Sequence, residues 1–199
     1  MPGHLQPEEE RVLPSPIAHS LAGLVVSRAQ CNNAQQVARP TVVALVAVAA
    51  ANLPDADFLP GLLTGDANRF HHAFTHSFGF LMAVTLATFL LARAFRSAPA
   101  FWTGLVGFGV ASHLLLDFFT VDTRPPFGIP LLWPFSNRAF LAPHPLFLDI
   151  QRSGNPAEFF QSLFSAHNFA AAGREFFLVG GALLLVDFLC RTAAKVDKS

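Results

Sequence analysis

Sixteen consecutive residues, Ser77 to Ala92, carry no charged side chain, and Pro99 to Thr120 carries one His and one Asp, both near its end. About 20 apolar residues in helical form cross a hydrocarbon core, so Ser77–Ala92 and Pro99–Phe119 have the length and character of membrane spans. Three shorter apolar stretches accompany them: Pro16 to Ser27, Thr41 to Ala51 running on through Asn52-Leu53-Pro54, and Glu175 to Cys190. These span only with flanking polar residues at the interface. The pattern predicts an all-α, polytopic membrane helix bundle of four to five spanning helices.

Composition excludes the main alternatives. Apolar residues make up 52% of the chain and charged residues 13%, against about 25% charged in soluble domains. Lys plus Arg equals Asp plus Glu at 13 each, leaving no basic surplus for nucleic acid. A mean hydropathy of +0.44 and 22 Phe exclude disorder. Membrane lipids are the expected surroundings. Glu8, Glu9 and Glu10 before the first apolar stretch do not suit a secretory signal. Cys31 and Cys190 are too few for a disulfide framework and read as buried thiols. Residues 1–13 read as a mobile tail, 14–192 as one integral membrane domain and 193–199 as a C-terminal tail.

The domain holds a long insert, 121–174, whose first half is too rich in Pro for continuous helix. Asn155-Pro156-Ala157-Glu158 supplies an N-cap residue, a Pro at N1 and an acid at N3. A short interfacial helix is expected there, with Phe159, Phe160, Leu163, Phe164 and His167 on one face.

The functional signal lies in where the ionisable residues fall along the helices. With the N-terminus on one face of the bundle, His19, Asp55, Asp57, His71, His72, His76, His113 and Asp117 all meet that face. His113 with Asp117 and His72 with His76 stand four apart and share a helix face. In Leu53-Pro54-Asp55-Ala56-Asp57 the Pro breaks the helix and two carboxylates follow. An acid such as Asp117 within a span costs about 2.5–3.5 kcal/mol near the helix centre, and a shared cation or an Arg such as Arg124 would offset that. Imidazoles and carboxylates without thiolates suit Zn, Mn or Fe in a hydrolytic site, and the number of carboxylates favours two ions within an expected one to three. His4, His144 and His167 read as structural, and Asp187 as an ion-pair partner of Arg191.

These residues sit in five familiar pieces: Pro14-Ser-Pro-Ile-Ala-His19, LPDAD at 53–57, FHHAFTHS at 70–77, SHLLLD at 112–117 and GIPLLWPFS at 128–136. In that order they resemble the LexA-regulated, inner-membrane metal-dependent hydrolase family of bacteria. The chain departs from many relatives at His72-Ala73, where they read Arg-Gly after the first His, so His71 best matches the family histidine. It departs again at Phe58, where some carry a further His. The resemblance implies a metal-dependent hydrolase. The expected ligands are His19, Asp55, Asp57, His71, His76, His113 and Asp117, with Thr75 and Ser77 as donors to a His or to the substrate.

A site at the bilayer surface suggests a lipid or lipid-linked phosphoester or amide as substrate, with Trp133 and the Phe-rich helix holding an acyl chain. Hydroxide formed from bound water is the expected nucleophile, because no Ser-His-Asp or Cys-His arrangement is visible. The rival expectation is a non-enzymatic protein that binds or transports a divalent cation, although ligands at helix ends do not suit a midplane transport site. The face opposite the cluster holds seven Lys and Arg in short segments against six on the cluster face. By the positive-inside rule the cluster then opens outward, and a reducing cytoplasm keeps both cysteines as thiols.

Overall fold

The structure, a computed structural model, describes residues 16–30, 37–57, 59–60, 73–122, 127–151 and 158–196. Among them are five long helices: α1 (Pro16–Ala29), α2 (Pro40–Ala51), α3 (Phe78–Ala94), α4 (Pro99–Phe118) and, after the four-residue α5 (Phe159–Ser162), α6 (Ala166–Val196). Two 3-10 turns, Pro54–Asp57 and Phe74–His76, follow α2 and precede α3. The described residues form no strand, only the isolated bridges Thr120 to Phe147 and Ile129 to Phe140.

The helix ends follow from local chemistry. Pro40 and Pro99 open α2 and α4 at positions where a missing N–H costs nothing. Ser77 caps α3, its Oγ accepting from the Phe80 N–H at 3.1 Å. Asn52 closes α2 and fastens it to α1, donating from Nδ2 to the Val48 carbonyl at 2.8 Å and to Ser20 Oγ at 3.2 Å. Pro54 then bars further α-helix.

α1 packs against α2, α4 and α6, α2 packs against α4, and α4 against α3. The contacts are built from small residues. A Cβ on Gly23 would stand 2.7 Å from Val48 Cα, and one on Gly109 would stand 2.8 Å from Ala50 Cβ, so both glycines let backbones approach as in lipid-embedded bundles. Large apolar side chains point outward instead: Leu45, Met82, Leu86, Phe108, Phe177 and Leu184 are all exposed. That arrangement is the reverse of a soluble globule.

Among the described residues two helices, Pro99–Phe118 and Ala166–Ala193, are long and apolar enough to cross a membrane, fewer than the four to five expected. The shortfall is one of length. The 12 residues of α2 and the 17 of α3 rise about 18 and 25 Å against a core of about 30 Å. α6 begins nine residues before Glu175 and runs past residue 192 to Val196. Cys190 is disulfide-bonded, which corrects its reading as a thiol and removes the support that reading lent to a cytoplasmic location for that end. Cys31, residues 1–13 and Asn155-Pro156-Ala157 lie outside the described residues.

Candidate metal centre

Four segments bring five side chains to one point. His19 comes from the first turn of α1, Asp55 from the turn after α2, His76 from the turn before α3, and His113 and Asp117 from successive turns of α4. His19, His76 and His113 are fully buried and Asp117 is 5% exposed. Of these five side chains Asp55 is the most exposed, at 22%.

The facing atoms are imidazole Nε2 and carboxylate oxygens. Asp117 Oδ2 lies 3.1 Å from His113 Nε2 and 3.3 Å from His76 Nε2, while Oδ1 lies 3.3 Å from His19 Nε2. Asp55 Oδ1 stands 3.6 Å from both His76 Nε2 and His113 Nε2, and those two nitrogens are 3.2 Å apart. Donors held at about 2.0–2.2 Å from one ion stand roughly 2.9–3.6 Å from one another, so the spacing is that of a coordination shell. Two overlapping triplets, His19-Asp55-His113 and His76-His113-Asp117, could each hold a metal ion.

Hydrogen bonding supports this assignment. Both ring nitrogens of His19 and both carboxylate oxygens of Asp117 are buried without a hydrogen bond of proper geometry. Such orphaned groups are costly unless they converge on something other than each other, and a cation fits that requirement. The outward nitrogens of His113 and His76 are fixed. His113 Nδ1 donates to the Ala51 carbonyl at 2.7 Å. His76 Nδ1 lies 3.3 Å from Asp57 Oδ2 and 3.1 Å from Thr75 Oγ1, and Thr75 donates to that same Asp57 oxygen at 2.7 Å. Backing of this kind orients a ligating imidazole and raises its basicity. The His19 ring stacks on His113 with centroids 3.8 Å apart.

Protonation follows the same geometry. Burial disfavours the charged His76 ring, but hydrogen bonds to Asp55 and Asp57 and the charge of Asp117 outweigh it and raise the pKa to about 10. Burial pushes Asp55 up, yet the His76 hydrogen bond and the His113 and His19 rings hold it below the ordinary carboxylate value.

Of the expected ligands, five converge. Asp57 instead stands behind His76, and Thr75 joins it there. Ser77 is fully buried as the α3 cap and also donates to the Phe74 carbonyl at 2.5 Å. His71, His72 and Arg124 lie outside the described residues. His144 is exposed. His167 pairs with Asp149, Nε2 to Oδ1 3.0 Å, and Asn168 beside it clamps Gln151 through both backbone groups. Trp133 packs on Phe74 with centroids 5.5 Å apart, and Gly79 N–H donates to the Trp133 carbonyl at 3.1 Å, so the insert is docked beside the cluster. The Ala51 carbonyl and the Asp149–His167 pair carry no motif that a sequence reading could use.

Helices with apolar outer faces, two of them long enough to span, around a buried His/Asp cluster that could hold a metal ion define a helical membrane protein with a candidate metal centre. The chain belongs to the YdjM inner membrane protein family, whose family model matches residues 15–192. Neither a curated relative nor a solved structure matches it.

Proposed function

We propose that the protein is a multi-pass inner-membrane, metal-dependent hydrolase acting at the bilayer surface on a lipid or lipid-linked phosphoester or amide. The observation that carries this reading is the set of imidazole nitrogens and carboxylate oxygens, 3.1–3.6 Å apart, enclosed except at Asp55. His19, Asp55, His76, His113 and Asp117 would hold one or two divalent transition-metal ions, zinc first among them. Asp117 has its two oxygens turned to different histidines, as a carboxylate shared between two ions would. A cation held there would supply Lewis acidity and would make a nearby water more acidic.

The protein's own groups do the rest. Asp57 and Thr75 hold the His76 ring, the Ala51 carbonyl holds His113, and the buried wall excludes bulk water from the reacting centre. Exposed Leu53, Leu59 and Phe74 near the Asp55 opening favour an amphipathic substrate. Apolar outer faces on α3 (Met82, Leu86, Leu90) and α2 (Val42, Leu45) support placing both helices in lipid alongside α4 and α6. The second reading, a cation-binding protein without catalysis, draws on the depth of the site: five ligands leave few open positions. Elemental analysis of purified protein followed by a hydrolysis screen on phospholipids and N-acyl lipids tests the proposal. Metal-dependent turnover of one class supports the enzyme, and metal without any turnover supports the binding protein.

A further inference from the structure

We propose that the end of the bundle opposite the His/Asp cluster is a separate binding site for an anionic phospholipid, which seats an acyl chain between α1, α2 and α6 and its phosphate at Arg28 and Arg191. A cavity of about 490 Å³ lies there, its apolar lining built from Leu24, Val43, Ala44, Leu183 and Leu184. That volume falls within the roughly 300–1,000 Å³ of small-ligand sites. His19 and Arg28 are nine residues apart on α1, a rise of about 13 Å, so the cavity is distinct from the metal centre.

The charge at its mouth is unbalanced. Asp187 Oδ1 takes a close hydrogen bond from Arg28, and its Oδ2 takes one from Arg191 Nε at 2.6 Å. One carboxylate thus serves two guanidinium groups, leaving one positive charge in excess. The Arg28 and Arg191 side chains are 50% and 72% exposed, so each keeps N–H groups free to face an anion. Pro40 and Thr41, at the N-terminus of α2, also line the cavity, and no side chain caps that helix. Its dipole adds to the positive potential. Exposed Leu45, Leu184 and Leu185 continue the apolar surface outward. Basic groups at helix ends over an apolar cleft match a lipid with an anionic head; a zwitterionic lipid lacks the charge match, and free phosphate lacks the chain.

The test is native mass spectrometry of the detergent-solubilised full chain with phosphatidylglycerol and phosphatidylcholine of identical acyl chains. Phosphatidylglycerol should bind about fivefold tighter or better, from one excess basic charge. Arg191→Gln should erase that preference, and Ala44→Trp, which fills the cleft, should abolish retention of both lipids. Excess inorganic phosphate should leave the bound lipid in place. Equal retention of the two lipids by the unaltered protein would overturn the proposal, as would displacement by phosphate alone. Folded variants, checked by helical circular dichroism, that retain both lipids unchanged would overturn it too.

Discussion

His113 Nδ1 sits 2.7 Å from the carbonyl oxygen of Ala51, the last residue of α2. A carbonyl only accepts, so Nδ1 carries a proton and Nε2 is the nitrogen left for a cation, facing Asp117, His76 and Asp55. The end of one helix thereby places the Nδ1 proton of a candidate ligand on another. The contact depends on the close approach of α2 and α4 at Gly109, whose added Cβ would meet Ala50 at 2.8 Å and the Ala47 carbonyl at 3.3 Å.

Gly109→Val should therefore damage the centre from a distance. Overpacking of this kind costs about 1–3 kcal/mol. The expected result is a lower unfolding midpoint together with reduced metal content, read by thermal denaturation and elemental mass spectrometry. Normal stability with a full metal load would show that the α2–α4 approach does not position His113.

Asp57→Asn and Thr75→Val act behind His76 rather than on the ion. Loss of such backing lowers metal affinity or activity about 10–100-fold. Competition with a chromogenic chelator measures this. An effect as complete as that of Asp117→Ala would place Asp57 among the ligands themselves.

Metal loading should release protons. In the metal-free protein the His76 pKa is about 10, above the unfolded value of 6.5, so the ring is charged at neutral pH and must lose its proton to ligate. The stability this group gives the metal-free fold is fully present below pH 6.5 and is lost as pH rises through about 10. Asp55, held below its ordinary value, contributes in the opposite sense: its share is present above that value and lost as acid protonates it. Calorimetric titration in two buffers of different ionisation enthalpy should show about one proton released per chain at neutral pH. Buffer-independent heats would contradict the charged His76.

Ser77→Ala should cost about 1 kcal/mol through the lost α3 cap and lower activity without abolishing it. The Oγ is engaged by Phe80 N–H and the Phe74 carbonyl, not by a base. A dead variant with intact metal and fold would make Ser77 the nucleophile.

Much of the site was legible in the chain because helical spacing carries it. His113 and Asp117 at i and i+4 share a face, and Pro54 stops α2 where the carboxylates are needed. The parting of Asp55 from Asp57 comes from the 3-10 turn that holds both. In a 3-10 turn of three residues per turn, neighbours two apart point to different sides. One carboxylate thus meets the Nε2 group and the other the Nδ1 edge of His76. The early start of α6 was hidden because His167 and Arg174 break the apolar run without breaking the helix. The disulfide at Cys190 was hidden because two distant cysteines fix no pairing. Cys190 should therefore resist alkylation in denatured, unreduced protein and label after reduction.

The most direct measurement is the transition-metal content of purified protein beside that of Asp117→Ala and of His113→Ala, by elemental mass spectrometry at matched, verified folding. A metal centre at this cluster predicts one or two ions per chain in the unaltered protein and, because both candidate triplets include His113 and one includes Asp117, a substantial loss in each variant. Unaltered protein without metal, or variants with the full load, would contradict it.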